Sequence, residues 1–132
     1  MASIRSRIGA NMEDRYLFKG KRVDNGKWVI GNLVYSVYKK DDICIGQYGN
    51  EIGMHTVIPE TICQCTGLKD KHGNLIWEND IGRYQWDGKT KTDVIVYDGS
   101  MFTYSGSMRW DLCQDEMIGN IFDNPELLER KE

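Results

Sequence analysis

From Tyr16 onward the chain alternates short β-prone segments with glycine-bearing turns, and this alternation constrains its fold most strongly. The segments are rich in Val, Ile, Tyr, Trp and Phe, which favour a pleated, half-buried backbone. Glycine permits the positive φ angles of tight turns, so each segment is expected to reverse where one occurs. The turns read QYGN, KHGN, WDGK, YDGS and SGS. Their regular spacing predicts a mainly β protein, built as a meander or a small barrel.

Two local signals predict particular elements. The segments YLFKGKRV and KWVIGNLVYSVY flank an Asp-Asn-Gly turn at 24–26, and Asn-Gly favours a tight antiparallel hairpin. Near the other end, Asn124 stands as a helix N-cap, Pro125 at the first helical position and Glu126 in the first turn. The sequence therefore predicts a hairpin from its first two strands and one short C-terminal helix.

The chain is expected to have three parts. Residues 1–11 carry two arginines and no acid, which is typical of a leader or tag-like segment, or of a basic arm that docks on a partner. Residues 12–60 predict an irregular, hairpin-rich β segment that ends near Pro59. Residues 61–132 have the tighter turn spacing of a compact β barrel, which carries the short helix.

Composition limits the function. No apolar run approaches the roughly 18 residues that a membrane helix needs, so we expect no membrane-spanning role. The formal net charge of −3 disfavours nucleic acid as a partner, because the overall field repels phosphate. The 4 cysteines follow no secretory signal, which favours a reducing, cytoplasmic compartment.

The stretch Thr66–Tyr84, TGLKDKHGNLIWENDIGRY, concentrates polar side chains that could bind a metal ion. A calcium loop of the EF-hand type that began at Asp70 would need glycine at its sixth position and glutamate at its twelfth. Leu75 and Ile81 stand there instead. The same residues fit a structural hairpin, with its turn at Lys-His-Gly-Asn.

No catalytic residue, cofactor or metal site is predicted. Glu78 and Asp80 could act as general acid and base together with His55. Acids that directly follow a strand, however, commonly accept backbone N–H bonds in the next turn. Cys63 and Cys65 lack the paired CxxC spacing of zinc sites, and the chain contains no GxSxG, GxGxxG or GxxxxGK[ST] motif.

Three blocks resemble, in order, those of the YopX family of phage and prophage proteins. They are FKGKRVDNGKWVIGNLV, VIPETICQCTGLKDKHGNLIWENDIGRY and MIGNIFDNPELL, and together they extend from Phe18 to Leu128. Asn79 stands where the family usually has glycine. The resemblance implies an all-β protein with an SH3-like small barrel in its C-terminal half, joined to an irregular β segment. It carries over no catalytic residue.

The phage setting implied by the resemblance favours a non-catalytic binding module. We expect it to work in the cytoplasm of the bacterial host cell, by contact with a host or phage protein, in phage–host regulation or counter-defence, and as a homo-oligomer. Exposed aromatic side chains commonly anchor such interfaces. The residues expected to do so are Trp28, Tyr35, Tyr38, Trp86 and Trp110.

The alternative is binding of nucleic acid or a small molecule, such as a nucleotide, by the barrel. Phosphate contacts would come from Arg83, Lys89, Lys91 and Arg109, and base stacking from Tyr84 and Trp86. This hypothesis requires the basic and aromatic side chains to share one face despite the acidic net charge.

Overall fold

A computed structural model describes residues 14–35, 42–47, 53–109 and 111–128. The chain divides into two compact units, unit 1 (Met1–Cys65) and unit 2 (Thr66–Glu132). The strands are β1 (Phe18–Lys21), β2 (Trp28–Tyr35), β3 (Ile43–Gln47), β4 (Gly53–Thr56), β5 (Cys63–Lys69), β6 (Leu75–Trp77), β7 (Asp80–Trp86), β8 (Lys89–Tyr97), β9 (Phe102–Tyr104) and β10 (Glu116–Asn120). Single turns of 3-10 helix lie at Pro59–Thr61, Leu112–Gln114 and Pro125–Leu127.

The mainly β class is confirmed, and the strand pairing is antiparallel. The sheets stay open within the described ranges, so the SH3-like barrel is not confirmed. The predicted leader at 1–11 lies outside the described residues. The predicted division between residues 60 and 61 stays a prediction, because a compact unit need not fold independently. No helix in the described part is long and apolar enough to cross a membrane.

The predicted C-terminal helix is also not confirmed. Pro125–Leu127 forms one 3-10 turn, in which the Leu128 N–H donates to the Pro125 carbonyl at 3.1 Å. Asn124 does not cap this turn with its side chain, because its Oδ1 accepts the Asn120 N–H at 3.2 Å. The residues that would lengthen the helix, 129–132, lie outside the described ranges.

In unit 1 the strand order is β4-β3-β2-β1, followed by the start of β5. The predicted first hairpin is confirmed, since β1 pairs antiparallel with β2. Its turn closes where the Arg22 N–H donates to the Lys27 carbonyl at 2.9 Å, and Gly26 has φ +72°. Val29, Ile45 and Val57 form the buried core of the unit.

Unit 2 contains a four-stranded sheet in the order β10-β7-β8-β9. Asp87 and Gly88 join β7 to β8 in a two-residue turn and have φ angles of 53° and 74°. Positive φ at both positions is the geometry of a type I′ hairpin, which Asp-Gly favours. The buried core beneath this sheet consists of Ile76, Tyr84, Ile95, Tyr104 and Leu112.

The stretch that contains Asp70 forms the predicted structural hairpin. One Asp70 carboxylate oxygen accepts the N–H groups of His72 at 2.9 Å and Asn74 at 3.0 Å. The other accepts the Met117 N–H at 3.0 Å, which ties the turn to β10. Asp80 is similarly structural, since it accepts the Trp77 N–H at 2.8 Å. These carboxylates complete turns, as the position of acids after strands indicates.

We expect Gly31→Ala to destabilise unit 1 by about 1–3 kcal/mol. A Cβ at Gly31 would overlap the carbonyl oxygen of Gly46 on the neighbouring strand β3, so the backbones would have to separate. Gly46→Ala is the matched control, because its Cβ would meet nothing nearer than 3.9 Å. Denaturant unfolding should separate the two variants, and equal stability of both would contradict the close approach.

Asp70→Asn should destabilise the protein by about 1–3 kcal/mol near neutral pH, because an amide cannot accept all three N–H bonds. Burial raises the pKa of Asp70, but the N–H donors of Met117, Asn74 and His72 outweigh it and hold that pKa below 3.8. The carboxylate therefore stabilises the fold above about pH 4, and this contribution is lost as pH falls through the lowered pKa.

The loss of unfolding free energy in the Asp70→Asn variant, relative to the wild type, should accordingly become smaller below about pH 4. Urea unfolding at several pH values measures it, with Glu126→Gln as a control that removes an exposed carboxylate. A deficit that is constant down to pH about 2 would contradict the linkage.

Candidate binding groove

A groove of about 750 Å³ opens on unit 2. Its walls come from the paired strands β7 and β8, from the segment that follows β9, and from the end of the last 3-10 turn. The lining residues are Tyr84, Trp86, Lys89, Thr90, Lys91, Thr92, Asp93, Gly106, Ser107, Met108, Arg109 and Leu128.

The register of β7 and β8 places aromatic and cationic residues on one face. Trp86 pairs with Lys89 across the ladder, and Tyr84 pairs with Lys91. Side chains alternate between the two faces of a strand, so all four of these residues point to the same side of the sheet. Directly opposite pairs on one face are close enough for their side chains to interact.

Trp86 and Met108 give the groove its exposed apolar surface. Trp86 is 60% exposed and Met108 is 67% exposed. Tyr84 is instead buried, and its ring is stacked on Tyr104 with the centroids 4.4 Å apart. The expectation that Tyr84 stacks on a base is therefore wrong, because its ring already packs inside the core.

Lys89 and Lys91 are the exposed cations of the groove. Among the described residues, neither ammonium lies within ion-pair distance of a carboxylate. Asp93 also lines the groove, but its carboxylate accepts bonds from the Ser105 hydroxyl at 2.6 Å and the Gly106 N–H at 2.8 Å. The groove consequently offers two positive charges that a ligand can reach.

Arg109 is held in the wall by a nearly buried carboxylate. Its Nε and Nη2 atoms each lie 2.7 Å from an oxygen of Asp115, whose side chain is 2% exposed. The hydrogen bonds to Asp115 raise the pKa of Arg109. Burial, and next the Asp115 charge, raise the pKa of Tyr104, whose hydroxyl donates to the same carboxylate at 3.0 Å. Two donors of the guanidinium are thus already engaged within the protein.

Arg83 does not line the groove. It lies between Gly82 and Tyr84 on β7, so strand alternation directs it to the opposite face from Tyr84. There its Nη2 lies 3.0 Å from the Glu116 carboxylate, in a partly exposed pair. Of the predicted phosphate-contacting residues, the fold brings Lys89, Lys91 and Arg109 together and leaves Arg83 outside.

The other predicted aromatic residues lie away from this groove or outside the described ranges. Trp28 is half-buried in unit 1, with the Lys19 and Lys21 ammonium groups 4.6 and 5.4 Å from its ring centroid. Tyr35 lies at the end of β2 and is 67% exposed. Tyr38 and Trp110 fall outside the described residues. Binding roles for these four stay predictions.

Sequence reasoning missed Met108, Thr90, Thr92 and Asp93 as groove residues. The only local signal for Met108 is an apolar residue directly after the Ser-Gly-Ser turn. The two threonines resemble ordinary strand residues. Within the ranges that the structure describes, no cluster of three His, Cys, Asp or Glu side chains is arranged to hold a metal ion.

The fold and the groove define a small, mainly β protein with an open groove on one sheet. A family model described as "YopX protein" matches residues 17–129, so the chain belongs to the YopX family. The resemblance seen in the three sequence blocks is therefore confirmed. No curated protein matches the chain.

A solved structure has a similar fold. It is the crystal structure of protein EF1440 from Enterococcus faecalis, which is 21% identical in sequence and has a TM-score of 0.55. The similarity covers 84% of this chain and 96% of that chain. At this level of identity the similarity concerns the fold alone.

Arg109→Ala should destabilise the protein by about 3 kcal/mol or more, because it leaves the Asp115 carboxylate buried without its cation. Arg83→Ala is the matched control. It breaks a partly exposed pair with Glu116 and should cost less than about 1 kcal/mol. Urea unfolding at neutral pH compares them, and equal losses would show that Asp115 does not depend on Arg109.

Proposed function

We propose that this YopX family member is a non-catalytic binding protein that contacts a partner protein through the groove of unit 2. The observation that carries the proposal is the pairing of exposed apolar surface, at Trp86 and Met108, with two cations, Lys89 and Lys91, that no described carboxylate neutralises. Tryptophan and methionine are enriched at interfaces, where a few buried side chains supply most of the binding energy.

The charge of the groove predicts an acidic partner. Opposite charges across an interface accelerate association and disfavour wrong partners. The groove is open along a strand, a shape that suits a segment of another protein. We therefore favour a host or phage protein that presents an acidic segment, in phage–host regulation or counter-defence in the bacterial cytoplasm.

The proposal includes self-association and an SH3-like arrangement of unit 2. The exposed Tyr35 and the half-buried Trp28 of unit 1 offer aromatic surface for contact between copies. The three-stranded meander β7-β8-β9 supports the SH3-like arrangement that the family resemblance implies.

A photo-crosslinking amino acid at Trp86 should capture a specific protein in bacterial cells that carry the phage or prophage. The same group at Tyr97 is the matched control, because Tyr97 is 54% exposed on unit 2 but does not line the groove. Mass spectrometry of the crosslinked peptide should identify an acidic segment of one partner, and Lys89→Glu combined with Lys91→Glu should abolish the crosslink. Identical crosslinks from both positions would contradict the proposal.

A second candidate, binding of a small anionic molecule such as a nucleotide, is favoured by the register that places Trp86 opposite Lys89. The ring could stack on a base while Lys89 and Lys91 contact phosphate. Native mass spectrometry separates the candidates. Extra mass that is lost on denaturation would favour a small ligand, whereas integer multiples of the chain mass alone would favour protein contact and self-association.

A further inference from the structure

One edge of β8 is only partly covered by its neighbour. On one side β7 pairs with β8 from Lys89 to Val94. On the other side β9 pairs with it only from Ile95 to Tyr97. The first half of β8 therefore has no strand on its β9 side within the described residues, and this half lines the groove.

The hydrogen-bonding pattern of the β7–β8 hairpin determines which backbone groups of β8 face this edge. In a two-residue hairpin the residues that flank the turn, here Trp86 and Lys89, form a hydrogen-bonded pair, and the pattern then alternates. Thr90 and Thr92 consequently direct their N–H and C=O groups away from β7. Val94, two residues further on, directs its backbone groups the same way, and its carbonyl accepts the Ser105 N–H at 2.9 Å on the side that faces away from β7.

After β9 the chain folds back toward Thr103. The Asp93 carboxylate binds the Ser105 hydroxyl and the Gly106 N–H, and the Thr103 hydroxyl accepts the Arg109 N–H at 2.6 Å. These bonds shape residues 105–109 into the second wall of the groove, beside the open edge. The groove thus has unpaired strand backbone on one side and the exposed Met108 on the other.

We propose that the groove binds its partner as an added β-strand along the Thr90–Thr92 edge of β8. Main-chain bonds to an exposed edge give affinity in this mode, and alternate side chains give specificity. Lys89 and Lys91 lie on the same face as Trp86, so the added strand carries acidic residues at alternate positions on that face. The inference rests on the proposed protein contact and specifies its geometry.

The same lysines argue against a second copy of this chain as the occupant. Lysines on an edge strand oppose pairing between two such edges, because like charges would face each other. An acidic segment has the complementary charge. Self-association, where it occurs, uses another surface.

Thr92→Pro tests the added strand directly. It removes an N–H that faces the open edge and leaves the ladder to β7 intact, a position where proline is tolerated in edge strands. The probe is a peptide selected on the wild-type full chain from a displayed library of random short sequences. We expect acidic residues at alternate positions in the selected peptides, and a loss of affinity of about tenfold or more for the Thr92→Pro variant.

Two variants serve as controls. Gln85→Pro places the same residue in the same hairpin, on the edge that faces away from β8 and beyond the last β10 pair at Arg83–Glu116. Thr92→Val keeps the N–H and removes the hydroxyl, so a loss that it shares with Thr92→Pro is assigned to the side chain. Gln85→Pro should bind the peptide as the wild type does, Thr92→Val should lose less affinity than Thr92→Pro, and thermal unfolding checks that all three variants fold.

Methylation of the peptide's backbone nitrogens, one at a time, gives a readout that does not depend on the variants. An added strand donates from every second residue, so loss of binding should recur with a period of two along the peptide. Uniform tolerance, or losses spaced three and four apart as for a helix, would overturn the inference. So would unchanged affinity for Thr92→Pro.

Trp86→Ala separates this inference from the proposed function. Binding that needs Trp86 but tolerates Thr92→Pro and shows no period of two would keep protein contact in the groove and overturn strand addition. Peptide binding that is unaffected by both Trp86→Ala and Thr92→Pro would place the peptide outside the groove and overturn both proposals.

Discussion

The Asp115 carboxylate, whose side chain is 2% exposed, accepts hydrogen bonds from Nε and Nη2 of Arg109 and from the hydroxyl of Tyr104. Tyr104 in turn stacks on Tyr84, and the Arg109 guanidinium lies 5.2 Å from the Tyr84 ring centroid. A buried charge needs such partners, because removing it from water without them costs several kcal/mol per ion. The core of unit 2 is therefore organised around one satisfied ion pair, and the wall of the groove is built on it.

This pairing determines which charges the groove can offer. Arg109 faces the groove with its charge balanced by Asp115, whereas no described carboxylate lies within ion-pair distance of Lys89 or Lys91. The bonds from Asp93 tie Ser105 and Gly106 to β8, and the chain then turns back until the Arg109 N–H donates to the Thr103 hydroxyl. The core ion pair, the two exposed lysines and the strand edge left open among the described residues form the surface to which we assign an extended acidic partner.

Much of the local structure could be predicted from sequence, because it depends on residues that are close along the chain. The Asp-Asn-Gly hairpin, the Asp87-Gly88 turn and the Asp70 hairpin follow from turn preferences that act over a few residues. The C-terminal helix did not follow in the same way. The side chain of Asn124 accepts the Asn120 N–H, and it therefore does not act as the predicted N-cap of the 3-10 turn.

The site shows where local reasoning ends. Arg83 and Arg109 looked equivalent as phosphate contacts, yet one pairs with Glu116 outside the groove and the other with Asp115 in its wall. The sequence by itself determined the β class, the turns and membership of the YopX family, because these depend on residue type and short spacing. Within the described residues, the tertiary structure alone decided which cations stay available and which strand edge stays open, because both depend on register and ion pairing between residues distant along the chain.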